Sequence, residues 1–172
     1  KLKYPRGLRY NKIVSNIPFQ LCEPLMRILC EEKFDVAVLI VPLSFYFTLG
    51  KHPIFSAFFE AEKMMDVPKN AFFPAPKVKA VMIRLKRLEN GEGKHFFVQQ
   101  LYLQRDKKLK NALREIIIDY YELKWGRKVS KRETRIKLQE LKVPLSWWEE
   151  KMESLPVKSY SVVSEEIAKS IF

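Results

Sequence analysis

Seven consecutive residues, Asp-Val-Ala-Val-Leu-Ile-Val at 35–41, restrict the fold more than any other stretch of the chain. The run is apolar and rich in β-branched residues, which suits a strand. It lacks the apolar-polar alternation of a strand wet on one face, so it reads as a strand covered on both sides of a parallel sheet. Upstream, residues 12–15 (Lys-Ile-Val-Ser) read as a second short strand. Between the two, residues 24–32 carry Leu25, Ile28 and Leu29 on one helical face. Strand, helix, strand is one α/β unit.

Downstream, residues 42–59 are ambiguous, because Phe-Ser-Ala-Phe-Phe fits either a helix or a strand. Residues 61–67 and the alternating 78–85 (Val-Lys-Ala-Val-Met-Ile-Arg-Leu) read as strands. Residues 89–94 (Glu-Asn-Gly-Glu-Gly-Lys) bring two close glycines and mark a linker. Beyond it the period turns helical. Leu109, Leu113, Ile116, Ile117 and Tyr120 form one stripe behind Asp106 as the expected cap. Ser130 and Glu133 have capping-box spacing. Ser164, followed by Glu165 and Glu166, reads as the start of a last helix, its acids set favourably against the helix dipole. The expected organisation is an α/β part over 1–88, a linker over 89–94 and a small helical domain over 95–172.

The composition bears on partners. The chain of 172 residues is 47% apolar, enough for a core, and has a net charge of +12. The excess of bases falls on residues 1–142, while the last thirty residues carry more acids than bases. A polyanion-binding face produces such a distribution, and so does a requirement for solubility. No stretch approaches the roughly 18 apolar residues of a membrane span, and the basic start lacks the apolar core of a signal peptide. The expectation is a protein of the cytoplasm with no membrane association. Cys22, Cys30, His52 and His95 are too few and too scattered for a closed zinc or iron–sulfur ligand set. The abrupt start at Lys1, with no strand or helix signal before it, suggests a fragment of something longer.

Three stretches carry chemistry. In Asn16-Ile17-Pro18-Phe19, Pro18 keeps Ile17 out of the α region, so the chain stays extended on leaving its strand. The Ile17 carbonyl is then available in the crevice at a strand's carboxyl end, where open α/β sheets bind ligands. An Asn side-chain carbonyl beside a free backbone carbonyl can accept both hydrogens of an exocyclic amine, and Phe19 offers a face for a base. A simple strand-ending turn has the same pattern. The second stretch, Phe72-Phe73-Pro74-Ala75-Pro76-Lys77-Val78, is either a proline-stiffened connector or the opposite jaw of an aromatic clamp. The third spans residues 103–113, where Arg105, Lys107, Lys108 and Lys110 crowd the start of a helix. That is either a solvated basic face or a phosphate site.

Taken together and in this order, Asn-Ile-Pro-Phe after a strand, Phe-x-Pro-x-Pro-Lys-Val some fifty residues on, and the basic 97–113 stretch resemble the rRNA adenine dimethyltransferase family. Its close cousins are the erythromycin-resistance methyltransferases. The resemblance runs on to residues 163–167 and so covers most of the chain. It implies the C-terminal part of a Rossmann-like, S-adenosylmethionine-dependent methyltransferase domain over 1–88, followed by a small all-α domain that helps hold RNA. It further implies dimethylation of adenosine amines in small-subunit rRNA, with that rRNA or the pre-small ribosomal subunit as partner and the enzyme acting as a monomer. Asn16 and Ile17 would grip the adenine amine, Pro18 would shape the turn, Phe19 would stack on the flipped base and Phe72 would close the stack. Asn16 would also border the cofactor, and Lys77, Arg105, Lys107, Lys108 and Lys110 would meet RNA phosphates.

The sequence departs from the family pattern at three places. Residues 42–47 (Pro-Leu-Ser-Phe-Tyr-Phe) replace a Gln, acidic residue and Arg; Lys79-Ala80 replaces Asp-Ser; and the glycine-rich turn of the cofactor half is missing. The five glycines, Gly7, Gly50, Gly91, Gly93 and Gly126, form no Gly-x-Gly after a strand. This chain alone is therefore expected to bind S-adenosylmethionine poorly. The rival expectations are a non-catalytic RNA-binding or ribosome-assembly factor on the same fold and, less strongly, a DNA adenine methyltransferase.

Overall fold

The computed structural model describes residues 10–88 and 93–171, which fall into two compact units, Lys1–Leu88 and Glu89–Phe172. Most of the expected linker, residues 89–92, lies outside the described residues, and Lys94 already opens a helix.

The first unit is built on a four-stranded sheet of order β1-β2-β4-β3. β1 (Lys12–Asn16) runs parallel to β2 (Val36–Pro42), with Lys12 opposite Val36 and Asn16 opposite Ile40. β2 is antiparallel to β4 (Ala80–Arg87), which is antiparallel to β3 (Phe59–Val67). Among the described residues the sheet is thus mixed, and only the β1–β2 pair is parallel. The 35–41 run is interior to the sheet as its composition demands, but its two faces differ. Ala37, Leu39 and Val41 are buried, whereas Val36, Val38 and Ile40 are half-buried. β3 forms an edge among the described residues, and its register against β4 shifts between Lys63 and Met65.

The helices follow from their apolar spacing. α1 (Cys22–Leu29) buries Cys22, Leu25, Met26 and Leu29, the i, i+3, i+4, i+7 positions of one face. Met26 takes the place expected for Ile28, which stays half-exposed. The α1 exit is held from the far end of β4. Arg87 donates from Nη1 to the carbonyls of Leu29 and Glu32, both 2.9 Å, and from Nη2 to that of Cys30 at 3.0 Å. Its guanidinium also lies 5.2 Å from the Phe58 ring centre. The ambiguous 42–59 stretch resolves into α2 (Leu43–Lys51) and α3 (Pro53–Phe58), with Phe59 opening β3. Pro53 sits at the start of α3, where its missing N–H costs nothing.

The second unit contains α4 (Lys94–Leu103), α5 (Leu109–Trp125), α6 (Lys131–Glu140) and α7 (Lys158–Ile171). Phe96, Phe97 and Tyr120 join α4 to α5, their rings 4.9–5.5 Å apart. The stripe Leu109, Leu113, Ile116, Ile117 and Tyr120 is buried as its spacing requires. Two expected helix starts are corrected. Asp106 does not cap α5, whose N-cap is Lys108 without any side-chain cap. Instead the Leu109 and Lys110 amides donate to the backbone carbonyls of Glu150 (2.8 Å) and Trp148 (3.2 Å). Nor does Ser164 open the last helix. α7 begins at Lys158, and Ser164 is buried within it, donating to the Ser161 carbonyl at 2.9 Å. The capping box of α6 is present in full: the Glu133 amide donates to Ser130 Oγ at 3.2 Å and the Ser130 amide to Glu133 Oε2 at 2.9 Å. Among the described residues, no helix is long and apolar enough to cross a membrane.

Candidate functional site

Strand direction gathers the site. β2 and β3 both run antiparallel to β4, so β1, β2 and β3 finish at the same edge of the sheet. Pro42 and Val67 both stand opposite Ala80 there, next to Asn16 opposite Ile40. From that edge emerge the Asn16–Phe19 stretch, the start of α2 and the loop from residue 68 to 79. The crevice at the carboxyl ends of strands is where open α/β sheets place ligands.

Asn16 ends β1 with an exposed side chain, and no described residue hydrogen-bonds its amide. Pro18, at φ −53° and ψ 133°, holds the chain extended before it tightens into a 3-10 turn at Phe19–Leu21. The Pro18 carbonyl accepts from the Leu21 amide at 2.8 Å, fixing that turn directly ahead of α1. Phe19 is therefore aimed by two short elements rather than by a long loop. On the other side, a 3-10 turn at Lys69–Ala71 delivers Phe72. The rings of Phe19 and Phe72 meet edge to face, 6.4 Å between centres and 74° between planes. Both are half-buried. Residues more than fifty positions apart thus form one aromatic corner, with the Phe73–Pro74 peptide beyond it in the cis form. Lys77, in the same loop, is exposed, and its carbonyl accepts from Lys69 Nζ at 3.4 Å.

Two of the divergent segments are neighbours in space. Pro42 pairs with Ala80, and the Leu43 amide donates to the Lys79 carbonyl at 2.9 Å. The segment at 42–47 is the β2 exit and first turns of α2, with Phe47 exposed and Tyr46 half-buried against it at 5.5 Å. Aromatic surface therefore stands where the family pattern has polar groups. The third departure concerns the methyl donor. Among the described residues, Gly50 lies in α2, Gly93 at the start of α4 and Gly126 at the end of α5, so none forms a turn after a strand. Burial pushes the Cys22 thiol above its ordinary value, which disfavours the thiolate.

Of the basic residues expected at phosphates, Lys77 lies in the first unit, while Arg105, Lys107, Lys108 and Lys110 lie in the second, at or just before the start of α5, and are engaged. Arg105 lies 4.4 Å over the Tyr102 ring and donates to the Tyr102 carbonyl at 3.0 Å. Lys107 pairs with Glu115, while Lys108 (3.0 Å) and Lys110 pair with Glu149. Hydrogen bonds from Lys110 and Lys108 hold the Glu149 carboxyl below its ordinary value. With the Leu109 and Lys110 amides also bonded, this helix start is not an open anion site.

Sheet and helices define an α/β protein of the Rossmann-like class, with an aromatic corner where β1, β2 and β3 end. The chain belongs to the ribosomal RNA adenine dimethylase family, whose sequence pattern matches residues 8–140. It is 30% identical over 129 residues to the probable ribosomal RNA small subunit methyltransferase A of Pyrococcus abyssi, covering 67% of this chain and 46% of that protein. To the ribosomal RNA small subunit methyltransferase A of Thermotoga maritima it is 27% identical over 153 residues, covering 81% and 53%. The chain thus spans about half the length of these curated relatives. In fold it is similar to the crystal structure of a dimethyladenosine transferase from Plasmodium falciparum, with TM-score 0.50, 18% identity and coverage of 100% of this chain and 70% of that one.

Proposed function

We propose that this chain forms the acceptor side of an rRNA adenine dimethyltransferase, one that methylates the exocyclic amine of adenosines in small-subunit rRNA. Residues 1–88 are the end of its methyltransferase domain and 95–172 a helical domain that helps hold RNA. The reading is carried by the aromatic corner of Phe19 and Phe72 beside the unpartnered Asn16 amide, at the carboxyl edge of the sheet.

The chemistry asked of these residues is positional. An adenine amine is a weak nucleophile, because its lone pair is delocalised into the ring. Accepting both amine hydrogens, at the Asn16 side-chain oxygen and the Ile17 carbonyl, orients that nitrogen and favours the charge it develops on alkylation. Stacking on Phe19, with Phe72 closing the other side, fixes the base plane at a contribution of about 1–3 kcal/mol per stacked base. The rings now touch edge to face, so an entering base requires one of them to rotate. The adenine must leave its helix or come from a loop. S-adenosylmethionine is the methyl donor the family implies. Lys77 stands near the crevice for a phosphate flanking the base, and Arg105, Lys107, Lys108 and Lys110 contribute only where RNA displaces their present partners. The enzyme acts as a monomer on pre-small ribosomal subunits in the cytoplasm.

The deciding experiment presents the full-length protein with immature small subunits and labelled S-adenosylmethionine, beside Asn16→Ala. The variant is expected to lose about 100-fold or more in methyl transfer, as when a preorganised hydrogen-bonding group is removed from a reacting centre. Equal transfer by both proteins removes Asn16 from the grip. No transfer by the unaltered protein favours the assembly-factor reading.

A further inference from the structure

α6 is electrically polarised around its axis. At 100° per residue, Lys131, Arg135 and Arg132 fall on one arc beside the buried Thr134 and Leu138 stripe, while Glu133, Glu140 and Lys137 fall on the other. The acidic flank is occupied within the unit: Glu133 pairs with Arg127 at 2.6 Å, and Lys137 lies 5.3 Å over the Tyr121 ring. The basic flank is not. Lys131, Arg132 and Arg135 are exposed, as is Lys128 just ahead of the helix, and none makes an ion pair with a described residue. The contrast with the start of α5 is internal to this unit, because there the lysines are met by Glu115 and Glu149. Three uncompensated cations on one arc of the helix, with Lys128 three residues ahead of them in the chain, repel one another unless something negative is brought to them.

We infer that the ridge of Lys128, Lys131, Arg132 and Arg135 is a docking surface for the phosphate backbone of RNA. RNA is favoured over an anionic membrane by the neighbouring surface. The exposed part of α6 offers only Ile136 as a large apolar side chain, too little to insert below lipid headgroups. Within α6 the ridge from Lys131 to Arg135 spans just over one turn, about 6 Å of rise, a length that matches adjacent phosphates, and Lys128 precedes it in the chain. It meets backbone charge alone, so it adds affinity without sequence preference. This rests on the reading of the protein as one that acts on RNA, and assigns that role to a surface apart from the start of α5.

The test is the salt dependence of binding to a short rRNA duplex by the full-length protein. It compares the triple variant Lys131→Gln, Arg132→Gln, Arg135→Gln with a charge-matched triple, Lys151→Gln, Lys158→Gln, Lys169→Gln. Circular dichroism first establishes that both variants are folded; single substitutions at Arg132 and Arg135 replace the ridge triple if it is not. The ridge triple is expected to lower the slope of log K against log salt by about 2 to 3, at roughly 0.9 for each phosphate that is no longer neutralised, while the matched triple changes it little. Equal reductions in both variants overturn the proposal, since net charge alone then accounts for binding. It is also overturned by an unchanged RNA slope, and weaker binding of the ridge triple to phosphatidylserine vesicles would in that case reassign the surface to a membrane. The Asn16→Ala assay reads the adenine grip separately, so a flattened slope beside intact methylation by Asn16→Ala removes the grip and leaves the ridge standing.

Discussion

His52 joins two short helices with its ring. Its Nδ1 accepts the Phe55 amide at 3.4 Å and its ring stacks on Phe55 at 4.1 Å, so the neutral imidazole is the form that caps α3. Burial, and then the nearby Arg27 charge, lower its pKa against a smaller raising effect of Glu23. The sign of the consequence follows. The unfolded chain binds a proton more readily than the folded one, so stability is complete above the ordinary value of about 6.5 and falls as pH drops from there through the lower folded value. His52→Asn keeps a capping acceptor and cannot titrate. Its urea midpoint is expected to lose this component of the slope as pH falls below about 6.5, and an unchanged slope removes His52 as the source. In the sequence His52 enters only among residues too few for a metal site, because a histidine cap has no spacing signature. Arg87 is equally hidden there: it closes the carbonyl end of α1 across more than fifty residues of chain.

Among the elements, those legible in the sequence are the ones whose partners are close in the chain. β1, β2, α1 and the capping box of α6 declare themselves by period or by fixed spacing. Ser130→Ala should cost about 1 kcal/mol of stability, the usual worth of such a cap, and chemical denaturation with an unchanged m value measures it. The starts of α5 and α7 differ from their sequence expectations for separate reasons. The α5 amides are satisfied by the carbonyls of Trp148 and Glu150, distant in sequence, which removes the need for the local cap that Asp106 offers on paper. In α7, Ser164 turns its hydroxyl back onto the Ser161 carbonyl, a bond that suits a helix interior as well as an acidic pair suits a helix start. The Asn16–Phe19 stretch can be located from Pro18 and the strand before it. That Phe72 meets Phe19 cannot, since it depends on β3 and β4 bringing the 68–79 loop to the edge where β1 ends. The ridge on α6 is equally invisible, because charges in sequence do not say which of them are already neutralised.

At the scale of the molecule, the chain carries an aromatic corner at the ends of its strands and exposed bases on α6, and Gly50, Gly93 and Gly126 all lie at or within helices rather than after a strand. The expected consequence is calorimetric. Saturating S-adenosylmethionine should leave the melting temperature of this 172-residue chain unmoved, because a ligand stabilises only the state that binds it. A rise that grows with ligand concentration would place the donor site within these residues after all.

The register shift in β3 has a meaning beyond its own strand. An edge strand carries a row of unsatisfied amides and carbonyls that invites a neighbouring chain to add itself. Here the edge is broken at Met64, with Met64 and Met65 left 51% and 52% exposed and a Lys63–Asp66 ion pair at 2.9 Å straddling the irregularity. A flat, uninterrupted edge with two exposed methionines is a site for fibril-like stacking. The kink spoils the straight template such stacking needs, and lets the protein keep a soft apolar rim without growing into a longer sheet.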